Sequence, residues 1–164
     1  MKSTCIGIAA LALLAAGCSR EQGFVGTVAN GGRLEVKLGE YAATNAANPE
    51  VRQFAQEMVD DHTRANQNLD IAAKAEEMKV PADLEKKQQE TYDQLTKLKG
   101  EDFDRAYMKQ QVKAHEDTVA ALKKEIARAP DTQLGRWAST TLPTVEAHLQ
   151  HARALAAEIK AAER

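Results

Sequence analysis

A chain of 164 residues is long enough for one domain with a core of its own. It is 43% hydrophobic but only 4% aromatic, and it is rich in Ala, Leu, Glu, Lys and Gln, a composition that favours helices over sheets. The net charge of −2 mixes both signs along the chain, which gives no basis for a nucleic-acid-binding surface.

Residues 1–17 read as a targeting segment. Lys2 supplies a short positive region, and residues 5–16 form an apolar run too short to span a bilayer comfortably. The run ends Leu14-Ala15-Ala16-Gly17-Cys18-Ser19, which resembles a bacterial lipobox, with Ala15 where Leu is commoner. That resemblance implies lipid on Cys18, cleavage after Gly17, and acylation (palmitate or a similar chain) of the new N-terminus. Ser19 is unlike the Asp that retains such proteins at the inner membrane, so the expected location is the outer membrane, lipid-anchored and facing the periplasm. Cys5 leaves with the signal, so the mature chain keeps Cys18 alone and has no intramolecular disulfide. The alternative is an ordinary secretory signal that leaves Cys18 as a free thiol. A lone exposed thiol is a liability in an oxidising compartment, whereas several acyl chains on one residue make a stable anchor. Residues 18–23 then form a lipidated tether, and residues 24–162 the folded domain.

The first helix of that domain is expected over 24–45, where Phe24, Val28, Gly31, Glu35, Leu38 and Ala42 recur at helical steps. Gly31 and Gly32 either delay its start or allow a close helix–helix approach. Asn48-Pro49-Glu50 is a start signal, with a capping residue, Pro at the first helical position and an acid in the first turn. The second helix is expected to run to about Met78, with Pro81 forcing the stop, and to bury Val51, Phe54, Met58, His62, Ala65, Leu69 and Ala72. Residues 81–99 suggest a weaker amphipathic helix closed by Gly100, either a surface arm or a crossover. The third long helix starts near Glu101 and Asp102 and ends near Arg128, with Asp104, Met108, Val112, His115, Val119, Leu122 and Ile126 on one stripe. The last opens at Asp131 and runs to about Ala162, with Leu134, Trp137, Thr141, Val145, His148, Ala152, Leu155 and Ile159 on its stripe. Pro143 inside it predicts a kink or a break.

Each of the four long helices thus carries one polar residue on its apolar stripe: Glu35, His62, His115 and His148. The three histidines lie thirteen or fourteen residues, roughly 20 Å, from a predicted end of their own helix, so their depths match. Imidazole with carboxylate suits a transition metal such as Zn, Cu or Fe, with Asp61 and Asp104 as supporting acids. The competing reading is a structural cluster, in which neutral histidines bond to backbone carbonyls and to Asn66, Thr118 or Thr141. His151, one turn from His148, reads as surface. The chain has no Gly-x-Ser-x-Gly, phosphate-loop or dinucleotide fingerprint and no mature cysteine nucleophile, which weighs against an enzyme. No motif identifies a protein partner.

Several segments together resemble the bacterial "domain of unknown function 4142" family. They are Glu35-Val36-x-Leu38-Gly39, Phe54-Ala55-x-x-Met58-Val59-x-Asp61-His62, Phe103-Asp104-x-x-Tyr107-Met108, and Thr141-Leu142-Pro143 leading to His148-Leu149. The resemblance spans roughly residues 24–159 and implies an exported, all-α protein. Its expected fold is a ferritin-like four-helix bundle with an additional short helix between the second and third long helices. Ala114 stands where family members often carry an acid. Ferritin-like di-iron sites use Glu-x-x-His pairs on two helices. Here Glu57 is five residues before His62 and Glu146 two before His148, so that centre is not expected. Two functions follow as expectations: an envelope lipoprotein that binds a metal through the His/Glu cluster, or a non-enzymatic envelope protein with a structural cluster.

Overall fold

All regular structure among the described residues is helical: α1 (Ile8–Asn45), α2 (Pro49–Ala75), α3 (Lys86–Leu95), α4 (Gly100–Arg128) and α5 (Gln133–Ala162). The computed structural model describes the backbone of residues 8–162 and the side chains of 21–162. Lys2 and Cys5 of the expected signal segment lie outside the described residues, as does the side chain of Cys18. Among the described residues no helix is long and apolar enough to cross a membrane. The expected all-α bundle, with a short helix between the second and third long ones, is the observed fold.

Three boundaries differ from expectation, and of the kink or break expected at Pro143 the break does not occur. Helix α1 begins at Ile8, so residues 18–23, expected as a tether, are helical; the Ala- and Leu-rich run before them propagates helix readily. Helix α2 stops at Ala75, short of Met78, because Glu77 takes a left-handed φ of 57° and the Met78 N–H turns back to Ala73 O at 2.9 Å. Gly100, with φ of 58°, opens α4 instead of closing α3, which ends five residues earlier at Leu95. Pro143 lies inside an unbroken α5. Its ring faces solvent, so the carbonyl it leaves without a helical donor can be hydrated.

Helix α1 packs on α2, α2 on α5, α5 on α4, and α4 on α1, which leaves α2 and α4 diagonal. Residues 79–96 cross back along the full bundle, pinned to α1 at three levels. Gln22 donates to Lys79 O at 2.6 Å, Asn30 exchanges bonds with Glu85 at 2.8 and 2.9 Å, and the Tyr41 hydroxyl donates to Thr96 O at 3.1 Å. This segment is therefore a crossover, and it makes α4 run parallel to α2. Asp104 then meets the α1–α2 turn, accepting from the Ala47 and Asn48 N–H groups at 3.1 and 2.7 Å. At the opposite end Glu76 caps α5 by accepting from the Leu134 N–H at 2.9 Å.

The seam between α1 and α2 depends on glycine. A Cβ on Gly32 would lie 2.2 Å from Asn66 Oδ1, and one on Gly39 would lie 2.9 Å from both Ala55 O and Val59 Cγ2. The close-approach reading of the glycine pair thus holds at Gly32, while Gly31 faces open space. Apolar packing forms two blocks. One gathers Leu38, Phe54, Met58, Phe103, Tyr107 and Leu155; the other gathers Val25, Leu69, Leu122, Leu134, Trp137 and Val145.

Gly39→Ala should cost about 1–3 kcal/mol, because rigid backbone and Val59 must move. Gly31→Ala should be neutral or add up to about 1 kcal/mol of helix propensity. Urea unfolding of both variants checks the pair; equal stabilities would contradict the seam.

Candidate metal centre

The gap between the two apolar blocks is filled by Glu35 of α1, His62 of α2, Gln111 and His115 of α4, and His148 of α5, all buried. Antiparallel pairing sets their common level, because α2 and α5 align Asp61 with His148 and α1 and α4 align Glu35 with Gln111. The three imidazoles form a nearly equilateral triangle, with ring centroids 5.5, 5.6 and 5.5 Å apart. One ring nitrogen from each lies within 4.8 Å of those of the other two. The His62 and His115 Nε2 atoms are 3.4 Å apart. Two nitrogens bound tetrahedrally to one ion at 2.0–2.1 Å would be about 3.3 Å apart.

Hydrogen bonding sets which nitrogen is free on two of the rings. His115 Nδ1 lies 2.9 Å from Gln111 O, a group that only accepts, so Nδ1 carries the proton and Nε2 offers a lone pair towards His62. His148 Nε2 donates to Asp61 Oδ2 at 3.0 Å, which leaves Nδ1 bare. That Nδ1 is buried and has no hydrogen-bond partner. A carbonyl or carboxylate behind the outer nitrogen, with the inner one free, is the usual support of a metal-bound histidine.

Electrostatics keeps these lone pairs available. Burial holds His62 well below its ordinary pKa, helped by the neighbouring His115 and His148. Burial takes His115 to about 4 against the opposing pull of its bond to Gln111, with His148 lowering it further. Burial also lowers His148, opposed by Asp61. All three rings are therefore neutral near neutral pH, the form that binds metals.

Glu35 is buried at the same level but stands apart from the triangle. It accepts from Gln111 Nε2 at 2.6 Å and lines a separate cleft beside Lys87 and Lys113. Burial raises its pKa to about 7 against the Gln111 bond. Of the four residues expected to converge, the three histidines meet, while Glu35 is linked to the layer through Gln111. Asp61 accepts from His148. Asp104 does not belong to the centre: it is eleven residues, roughly 16 Å, from His115 along α4 and ties the α1–α2 turn. His151 is partly exposed and pairs with Glu57 at 3.2 Å. Asn66 faces Gly32, and Thr118 bonds Ala114 O, so neither satisfies a histidine.

Gln111 escaped the sequence reading because the α4 stripe was phased on Val112. The buried face also takes in Phe103, Tyr107 and Gln111, leading in steps of four to His115, beside the expected Asp104, Met108 and Leu122, while Val112 is only partly covered. A cleft of about 180 Å³ between α2 and α5 reaches His62 and His148 from the surface. A larger one, about 530 Å³, lies at the far end around Asn48 and Asp104 and touches no histidine.

A family model described as a domain of unknown function (DUF4142) matches residues 9–155. No curated protein and no solved structure matches the chain.

Without metal, the buried layer should make stability depend on pH. Unfolded histidines take up protons near 6.5, while folded His115 holds out to about 4 and burial keeps His62 well below its ordinary value. The unfolded state then binds more protons, so stability is full above 6.5 and is lost as pH falls below it. Glu35 acts the opposite way: folded, it keeps its proton up to about 7 against 4.5 unfolded, so its contribution weakens as pH rises through that window. Three histidines outweigh one glutamate, and stability should drop on acidification. Glu35→Gln should steepen the drop. Urea unfolding of chelator-treated protein between about pH 7 and 5 measures both slopes, and equal slopes would contradict the assignment.

Proposed function

The chain belongs to the DUF4142 family, for which no function is assigned, and from that premise we propose that it binds one transition-metal ion through His62, His115 and His148. The observation that carries this reading is the buried, unpartnered Nδ1 of His148 in a triangle of neutral imidazoles. A purely structural cluster would satisfy that nitrogen, since an orphaned buried polar atom costs about 1–3 kcal/mol. The His62···His115 contact of 3.4 Å is what the structural reading has in its favour. Imidazole donors suit Zn, Cu or Fe and disfavour hard ions such as Mg and Ca. Asp61 and the Gln111 carbonyl orient two of the three ligands.

The reading extends to the cell envelope. The Leu14–Ser19 segment supports lipidation of Cys18, and with it an outer-membrane lipoprotein that holds its metal on the periplasmic side. The role is then metal binding or handling; no nucleophile or general acid–base pair argues for catalysis.

Untagged protein should take up one equivalent of zinc or copper by equilibrium dialysis, and His62→Ala should abolish it while the helical circular dichroism remains. Wild-type protein that retains no metal would leave the structural cluster as the answer. For the anchor, Cys18→Ser should shift the protein from the detergent phase to the aqueous phase on phase separation. Unchanged partitioning would remove the lipid assignment.

A further inference from the structure

Charge balance carries the metal reading one step further. A divalent ion held by three neutral imidazoles brings its full charge into a buried layer, where an uncompensated charge is costly. Among the described residues, the carboxylate hydrogen-bonded to the triangle is Asp61, which bonds His148 from behind and also pairs with Arg64 at 3.5 Å. Glu35 turns to Gln111 and to the cleft on the other side of the bundle. Among the described residues, no other carboxylate is therefore placed to complete a coordination shell.

Space and donors for one exist on the opposite side. The cleft against His62 and His148 is lined by Asp61, Arg64, Thr141 and Thr144. Its volume of about 180 Å³ is below the roughly 300–1,000 Å³ of pockets for drug-sized ligands, so it suits a molecule of few heavy atoms. Arg64 supplies positive charge at the mouth, and the two threonines supply hydroxyl donors.

Resting on the metal reading, we propose that the bound ion keeps an open position facing this cleft, and that a small exogenous anion occupies it. Three histidines with one exchangeable position form an open site, in contrast to the closed four-ligand shells of structural metal sites. The cleft selects a compact monoanion, with hydroxide as the resident in its absence.

Azide tests this on the full-length protein loaded with one equivalent of Cu(II). Titration should produce an azide-to-copper charge-transfer band that saturates at one azide per copper. Arg64→Ala should weaken azide binding about tenfold, the loss expected for one charge-assisted contact. Bound copper whose spectrum azide leaves unchanged would overturn the open position while the metal reading stands. Equal azide affinity in wild type and Arg64→Ala would overturn the assignment of the anion to this cleft. Wild-type protein that takes up no copper would overturn the metal reading itself, and this inference with it.

Discussion

Desolvation of the mid-bundle layer is the constraint on which the rest of the structure depends. Five polar side chains, Glu35, His62, Gln111, His115 and His148, separate two apolar blocks that would otherwise merge into one core. A charged group there would cost several kcal/mol, so burial favours the neutral forms of the layer. Burial enforces that by lowering all three histidines and raising Glu35. The apolar blocks above and below hold the layer in place. Leu69, Leu122 and Leu134 lie on one side and Phe54, Met58 and Tyr107 on the other, all essentially inaccessible to solvent.

Topology decides which residues share that layer. With a short α2–α4 loop the two helices would run antiparallel, and the level of His115 would no longer be tied to the end at which α2 begins. The crossover returns the chain to that end, so α2 and α4 run parallel from a common floor at Pro49 and Gly100. His62 and His115 then sit thirteen and fifteen residues above their helix starts, nearly the same height. Helix α5 descends from the other end with its start fixed by Glu76. The Asp104 bonds to the α1–α2 turn and the Asn30–Glu85 pair thus set the register of a site neither residue touches. Buried polar groups far from the histidines gain a purpose on this account.

Much of this was legible in the sequence, and the failures have physical causes. Apolar spacing located all four long helices, because Leu, Ala, Phe and Met recur at helical steps over several turns. The three histidines stood out as polar interruptions of those stripes. Glu35 was found by the same rule but given the wrong partner. Periodicity reports that a residue faces the core, not which way its carboxylate turns once there. Gln111 was lost to a phase error of one position on α4, where Met108 and Val112 pulled the stripe off the Tyr107–Gln111 line. Asp104 was buried as expected, yet its depth along α4 placed it at the bundle end. The crossover was undecidable because its contacts to Gln22, Asn30 and Tyr41 are a few hydrogen bonds between residues more than fifty apart in sequence.

On the proposed metal reading, the same layer that costs the metal-free protein stability would prepare it for an ion. Two of the three rings already have their outer nitrogens tied, so little rotational freedom remains to be lost when the inner nitrogens bind. Their lowered pKa values mean that few protons must leave near neutral pH, which removes the usual competition between proton and metal. An ion would also satisfy His148 Nδ1, the one imidazole nitrogen whose burial is otherwise uncompensated among the described residues. On that reading, binding and folding would be coupled through this layer: the native state alone holds the triangle, and an ion bound there would stabilise the native state by mass action. A structural cluster would likewise be stabilised by neutral, outward-tied rings, so the feature that favours an ion is the orphaned inner nitrogen of His148. On the proposed reading, the tied outer nitrogens would hold the inner ones ready for that ion.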